Sequence, residues 1–207
     1  NRTNIRSIYY PKDGFYALSI PNVNLVFVFD LRKLLAGGIA RTTIWNAITP
    51  RSWTWIDEIL YLGEAGVVAT HSGYSDNGNS YIMEYTSAWI DFGSEANPRA
   101  ASIVKIPKKI IVTFISGAEY YVTVKWALDY STSKKTVSGF INTPAAAQYA
   151  ISEYSIAEYS GGIALAENIF ALGGAGRILQ MGFSVNINGG ALSLQKVELA
   201  AKVGRSI

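Results

Sequence analysis

Short runs of β-branched and aromatic residues, separated by turn residues every 8 to 12 positions or so, restrict the fold of this chain most strongly. The run at residues 7–10 leads through Lys12-Asp13-Gly14 into the run at residues 15–20, which predicts a hairpin closed by an Asp-Gly turn. Residues 5–93 contain about seven such strands. This spacing is typical of β-sandwiches, barrels and propellers, and it predicts an all-β protein.

A polar, proline-containing stretch at residues 94–101 interrupts the strand pattern. We therefore predict one β region over residues 1–94 and a second over residues 95–207. The second region contains two hairpin signals, one around Gly117-Ala118 and one around Asn188-Gly189-Gly190. We expect the two hairpins to pair across an antiparallel β-sandwich, with a β-bulge near Gln195-Lys196 where the alternation of the last strand slips.

The composition is apolar for a soluble protein, because charged residues make up 16% of the chain against a typical value of about 25%. The chain also contains 13 Tyr and 5 Trp, so we expect much of its apolar surface to be buried against partner subunits. The net charge is only +3. Basic residues occur singly or in pairs such as Lys108-Lys109 and Lys134-Lys135, which is typical of solvated strand ends rather than of a nucleic-acid-binding stripe.

Several classes of protein are disfavoured by residue content. The chain has no Cys and a single His, His71, so thiolate or multi-histidine metal sites are not expected, and no cofactor is predicted. No apolar run reaches the 18 or so residues of a membrane helix. The chain begins at Asn1 without a signal-peptide pattern, and we interpret it as a portion or processed piece of a longer protein.

A pentad, Ile-x-Glu-Tyr-Ser, occurs twice in residues 151–160 and raises the possibility of a glycosidase-like acid pair. A step of five residues turns a helical side chain by about 140° and reverses the face of a strand residue, so it does not bring Glu153 and Glu158 together. We interpret the repeat as two packing steps that bury Tyr154 and Tyr159.

Three other motifs also lack the features of a catalytic or ligand-binding site. The Asp, Asn and Gly residues at 75–81 lack the Glu and flanking helices of a calcium loop, and they predict an Asn-Gly hairpin turn. His71 lacks a nucleophile-elbow motif, and we expect it to be a hydrogen-bonded structural residue. The glycines at 173–176 precede a strand, whereas a dinucleotide-binding loop follows one.

The aromatic residues of one predicted strand indicate two possible roles. Tyr120, Trp126 and Tyr130 share one face of the strand, and Tyr121 lies on the other. One face must fill the core, and exposed rings on the other can stack on sugars. We predict that Trp126 and Trp89 are structural, and that truncating either to Ala costs about 3–5 kcal/mol if it is buried.

Several stretches resemble the tail nozzle proteins (tail tubular or packaged-DNA stabilisation proteins) of short-tailed bacteriophages. The resemblance lies in an opening hairpin that ends in Trp126, Asp129 and Tyr130, in the Glu-aromatic repeat at 151–162, and in a closing hairpin with a Gly-Arg tail. Residues 9–32 and 74–94 look like the last propeller blades of the same family. The resemblance covers most of residues 5–205.

This resemblance implies a β-propeller end followed by a β-sandwich, and a non-enzymatic virion protein assembled in the host cytoplasm. It further implies a homo-oligomeric ring, with six copies expected, below the portal adaptor and next to other tail proteins. Double-stranded DNA would pass through the ring and be retained until ejection, and no membrane is involved. The alternatives are a carbohydrate-binding adhesin or tail-fibre module that uses exposed Tyr and Trp, and a glycoside hydrolase fragment.

Overall fold

A computed structural model describes residues 4–34, 38–46, 48–93, 97–141 and 164–204 of the chain. The chain divides into two compact units, Asn1–Gly73 and Tyr74–Ile207, which we call unit 1 and unit 2. The described residues form 14 β-strands and two short 3-10 helices, Pro21–Val23 and Pro98–Ser102, without an α-helix among them. The prediction of an all-β protein is therefore confirmed.

Unit 1 contains two antiparallel sheets in which each strand pairs with the next one along the chain. The first sheet has the order β1-β2-β3-β4, and the second has the order β5-β6-β7. Tyr10 of β1 pairs with Phe15 of β2 across the predicted turn, where Gly14 adopts a φ of 62°. The bounds are β1 (Arg6–Tyr10), β2 (Phe15–Ile20), β3 (Leu25–Asp30), β4 (Arg41–Asn46), β5 (Ser52–Ile56), β6 (Ile59–Glu64) and β7 (Val67–Thr70).

The core of unit 1 follows from strand alternation, since every second residue of β2 and β3 lies on the same face of the sheet. Six buried residues form this core, and Ile8, Trp45, Ile48 and Trp53 pack against it partly buried. The buried set is Tyr10, Phe15, Ala17, Val26, Val28 and Leu60.

Unit 2 also contains two antiparallel sheets, with the orders β11-β10-β13-β8 and β12-β9-β14. Its strands are longer than those of unit 1, with 12 residues in each of β9 and β14. The bounds are β8 (Tyr81–Thr86), β9 (Lys105–Ser116), β10 (Tyr120–Leu128), β11 (Lys135–Ile141), β12 (Ala164–Ala171), β13 (Leu179–Ile187) and β14 (Leu192–Val203).

The two sheets of unit 2 share one hydrophobic core, to which 15 buried residues of the described part of the chain belong. Alternating residues of β9, such as Val112 and Phe114, meet alternating residues of β13, such as Phe183 and Val185. The rings of Phe114 and Phe183 lie edge to face across the core, with their centroids 6.5 Å apart. Each sheet thus uses one face of its strands to cover the other sheet.

The prediction of two hairpins in the second region is wrong, because the two strands that flank each turn belong to different sheets. β9 pairs with β12 and β14, whereas β10 pairs with β11 and β13. The Gly117 turn and the 188–191 turn each carry the chain from one sheet to the other. These turns contact one another, since Gly117 donates a backbone hydrogen bond to Ala191 (2.9 Å) and the Tyr120 hydroxyl donates one to the Gly190 carbonyl (2.6 Å).

The strands around the Gly117 turn are expected to pair with the strands around the 188–191 turn. This expectation is confirmed, because β10 pairs with β13 and β9 pairs with β14. The expected bulge is confirmed as well, since the β9–β14 register shifts between Leu194 and Lys196.

The boundary between the units lies at Gly73, whereas the sequence placed it at residue 94. The reason is that β8 completes a sheet of unit 2 by pairing with β13, with Tyr81 opposite Ile187 and Thr86 opposite Gly182. The Pro98–Ser102 turn that marked the predicted boundary lies within unit 2, between β8 and β9.

Candidate functional site

Four of the six predicted structural or interface residues lie at one end of unit 2. At this end β9, β11 and β13 begin and β10, β12 and β14 end, as their antiparallel registers require. Trp126 and Asp129 lie at the end of β10, Tyr130 follows them, and Trp89 precedes the bridge between Ile90 and Leu179 at the start of β13. Tyr154 and Tyr159, together with the acid pair Glu153 and Glu158, lie outside the described residues.

Trp126 fills the core at this end of the unit. It points inward with Val122 and Val124 because all three share the parity of β10, and it is only 6% exposed. Its indole N–H donates a hydrogen bond to the Gly173 carbonyl oxygen at 2.9 Å. The ring is therefore a structural anchor, and it is too deeply buried to act as a sugar-stacking platform.

Asp129 ties the end of β10 to the start of β13. One of its carboxylate oxygens accepts hydrogen bonds from the backbone N–H groups of Arg177 (2.7 Å) and Ile178 (3.2 Å). Asp129 and Tyr130 both have positive φ values, 50° and 59°, so the chain turns sharply here. Gly176 allows this approach, because a Cβ atom at that position would lie 2.9 Å from both the Asp129 carboxylate and the Leu128 Cβ.

Tyr130 projects from this turn and is 64% exposed. Its ring packs against the indole of Trp89, with centroids 4.9 Å apart and planes inclined by 51°. Trp89 is half-buried, so it takes a smaller part in the core than Trp126 does. The pair forms an aromatic corner that remains partly open to solvent.

Lys105, which sequence reasoning missed, is buried at the start of β9 with only 8% of its surface exposed. Its ammonium donates hydrogen bonds to the backbone carbonyls of Asp91 (2.7 Å) and Arg177 (2.9 Å). Burial lowers the pKa of Lys105, and the carboxylates of Asp91 and Asp129 oppose part of that decrease. Nothing in the sequence distinguishes this lysine, because its partners are carbonyls from distant segments.

Six exposed basic residues lie at the same end of unit 2, which we call the basic end. They come from four places in the sequence, and strand pairing brings them together. None of them lies within ion-pair distance of a carboxylate in the described part of the chain. The six are Lys108, Lys109, Lys134, Lys135, Arg177 and Lys202.

A small cavity of about 220 Å³ opens between the basic end and Trp126. Its lining combines Lys135, Ser131 and Ser133 with the apolar residues Trp126 and Leu128. The Lys135 ammonium is a hydrogen-bond donor at this cavity, and the Ser131 hydroxyl already donates to the Ser133 carbonyl (3.2 Å).

A second cavity, of about 330 Å³, lies within unit 1. Trp45 and His71 stack beside it with ring centroids 5.2 Å apart, and the carboxylate of Asp13 lies 3.9 Å from His71 Nε2. Arg32 also lines this cavity and holds Asp30 through two hydrogen bonds, of 3.0 and 2.9 Å. These bonds lower the pKa of Asp30 to about 2.

The remaining motifs have structural explanations. Asp76 and Asn79 exchange two backbone hydrogen bonds of 2.8 Å around Asn77 and Gly78, whose φ values are both positive, which confirms the Asn-Gly hairpin turn. His71 is held by ring packing against Phe15 and Trp45. Within the described ranges, no group of three or more His, Cys, Asp or Glu side chains is placed to hold a metal ion.

No protein-family model matches this chain, and no curated protein is significantly similar to it. In the part of the chain that the structure describes, no helix has the length and apolar character needed to cross a membrane.

Proposed function

We propose that this chain is a non-enzymatic virion protein, a subunit of the tail nozzle ring of a short-tailed bacteriophage. In this proposal unit 1 is the end of a β-propeller, built from consecutive antiparallel strands, and unit 2 is an antiparallel β-sandwich. Six copies form a ring below the portal adaptor, beside other tail proteins. The ring continues the DNA channel and retains packaged DNA until ejection.

The observation that supports this proposal best is an exposed aliphatic patch on the outer face of the β12-β9-β14 sheet. Leu165 and Ile169 of β12 are 63% and 60% exposed. They lie directly opposite Ile115 and Ile111 of β9, which are themselves partly buried. An apolar patch of this kind on the surface of a folded unit marks a site of contact with another protein.

Charged residues lie within and beside this patch. Glu167 lies between Leu165 and Ile169 on β12, and a 2.7 Å ion pair joins Lys196 to Glu198 on β14. Aliphatic side chains mixed with charged ones suit repeated contacts between identical subunits, because the aliphatic groups supply affinity and the charges supply orientation.

The test is the assembly state of the purified chain, measured by mass photometry and by negative-stain electron microscopy. We expect ring-shaped particles containing six copies. Replacing Leu165 and Ile169 together by Lys should dissociate the rings, because two charges would be buried in the contact. The matched control places Lys at Thr86 and Thr136, exposed on the outer face of the other sheet, and should leave the rings intact. A monomer at micromolar concentration would refute the proposal.

A second candidate function, glycan binding by an adhesin, is supported by the unit 1 cavity rather than by Trp126. Saccharide sites combine an aromatic face with a few polar side chains, and Trp45, Asp13, Arg32 and Thr43 all line this cavity. The test is tryptophan fluorescence during titration with a panel of hexoses and methyl hexosides. Binding that is lost in Asp13→Ala and kept in Lys12→Ala, on the same turn, would favour the adhesin over the nozzle.

A further inference from the structure

The charge of unit 2 is distributed very unevenly between its two ends. Among the described residues, the basic end carries six exposed Lys and Arg side chains against two carboxylates, a local net charge of +4 (six minus two) that exceeds the +3 of the entire chain. At the opposite end, where β9 ends and β14 begins, the described turns carry Asp76 and Glu119 and neither Lys nor Arg. Pairing between strands distant in the sequence has therefore produced a charge dipole along unit 2.

The two carboxylates at the basic end are held by backbone groups and offset only part of its positive charge. Asp129 is committed to the backbone N–H groups of Arg177 and Ile178, and Asp91 accepts a backbone hydrogen bond from Gly93 at 2.9 Å. The buried ammonium of Lys105 adds further positive charge next to them. Like charges gathered on one surface repel one another, and an anionic partner that binds there removes this repulsion.

We propose that the basic end of unit 2 contacts the phosphodiester backbone of double-stranded DNA. The inference rests on the proposed nozzle function for its biological setting, and it identifies the surface of the subunit that faces the DNA. The end of a two-sheet unit is about 15 Å by 10 Å, from strand and sheet spacings. A 15 Å length of duplex carries about nine phosphate charges on its two strands, enough to engage several cations at once.

The chemistry of this end favours DNA over an acidic protein surface. Protein interfaces have apolar, charge-depleted centres, whereas this end carries clustered exposed lysines, and one of them, Lys135, lines a small cavity with Ser131 and Ser133. Lysine, serine hydroxyl and backbone N–H groups are the usual donors to phosphate oxygens. Such contacts do not read base sequence, so they allow the DNA to slide.

The test is the binding of the full chain to a fluorescein-labelled 20-bp duplex, followed by fluorescence anisotropy between 50 and 200 mM NaCl. We expect binding at 50 mM NaCl, with a log–log salt slope of about −3 to −5, corresponding to about four or five phosphate contacts. Changing Lys108, Lys109, Lys134 and Lys135 to Gln should weaken binding at least tenfold, as an order-of-magnitude expectation, and make the slope shallower by up to about four.

The matched control removes the same amount of charge from unit 1 by changing Lys12, Lys33, Arg41 and Arg51 to Gln, all of which are exposed. This control should retain most of the affinity. Circular dichroism checks that each variant is folded, and the double variant Lys134→Gln/Lys135→Gln replaces the fourfold one if that does not fold. Equal losses in the basic-end and control variants, absence of binding at 50 mM NaCl, or equally tight binding of poly-glutamate would each overturn the inference.

The outcome is separable from that of the ring assay. If the chain forms no ring but binds duplex DNA through the basic end, this inference stands and the proposed nozzle function is refuted. If the chain forms rings but binds no DNA, the nozzle function stands and this inference is refuted.

Discussion

Units 1 and 2 are built from the same kind of strand, yet they bury very different cores. Among the described residues, the core of unit 2 contains 15 buried residues, contributed by both of its sheets, and the core of unit 1 contains six. All four residues of β7 are exposed, as are all of β4 except Trp45. Burial of apolar surface is the main favourable term in folding, so the two units should differ in their ability to fold alone.

The order in which strands are connected also differs between the units, and it affects how much of each unit's apolar surface is buried. In unit 1 each strand pairs with its neighbour along the chain, which gives two sequential sheets with little enclosed between them. In unit 2 the turns after β9 and β13 cross from one sheet to the other, so both sheets are held face to face at each crossing. We infer that unit 2 is complete by itself, and that unit 1 requires further packing to be equally stable.

The largest expected effect comes from separating the two units. Residues 74–207 expressed alone should unfold cooperatively on heating, whereas residues 1–73 should show no cooperative transition, because a small unit with a small core is only marginally stable. Thermal circular dichroism and the dispersion of NMR amide resonances measure this difference. A sharp transition for residues 1–73 would show that its small core is sufficient.

The next effect is the truncation of core aromatic residues in unit 2. We expect Trp126→Ala to lower the free energy of unfolding by about 3–5 kcal/mol, because it removes a buried ring and leaves a cavity. Trp89→Ala should cost less, since Trp89 is only half-buried. Tyr121→Ala is the matched control on β10, because Tyr121 is 61% exposed, and it should change stability by less than about 0.5 kcal/mol. Urea denaturation gives all three values, and similar losses at Trp126 and Tyr121 would contradict this assignment of faces.

A smaller effect is expected where Asp129 joins two segments of unit 2. Asp129→Ala leaves two backbone N–H groups without their acceptor and should cost about 1–3 kcal/mol. Asp129→Asn keeps an acceptor oxygen and tolerates the positive φ, so it should recover most of this loss. Chemical denaturation of both variants is the measurement. An Asn variant as unstable as the Ala variant would show that the negative charge, rather than the acceptor, holds this turn.

The smallest expected effect is a pH dependence confined to unit 1, which contains the only histidine. Burial lowers the pKa of His71 below its usual value, and the carboxylate of Asp13 opposes part of the decrease. Between the lowered pKa and about 6.5, the unfolded state binds more protons than the folded state, so stability should fall as the pH falls through this window. Melting temperatures from pH 7.5 to 5.5 should decrease for the wild type and less for His71→Phe. Equal decreases would assign the effect to other groups.

Much of the local structure could be predicted from the sequence. The β1–β2 hairpin, the Asn77-Gly78 turn and the bulge before Lys196 all follow from short-range signals, namely turn residues that accept positive φ and an interrupted alternation of side chains. That Trp126 and Tyr121 lie on opposite faces of β10 follows in the same way from the two-residue period of a strand.

The candidate site was predictable only in part. Trp126 and Asp129 were singled out from the sequence, but Lys105 was not, because its carbonyl partners lie 14 and 72 residues away. The paired lysines are exposed, as predicted, but only Lys134 and Lys135 lie at a strand end, since Lys108 and Lys109 lie within β9. Their common location at one end of unit 2 follows from the pairing of β9 and β10 with partners distant in the sequence.

The sequence by itself determined where strands and turns occur and which side of each strand is apolar, because these depend on backbone sterics and on a two-residue period within a few positions. Only the tertiary structure decided which strands became neighbours. A glycine-containing turn can close a hairpin or cross between sheets, and the choice depends on which arrangement buries both apolar faces. That choice moved β8 into unit 2, turned two predicted hairpins into crossings and gathered six scattered cations on one surface.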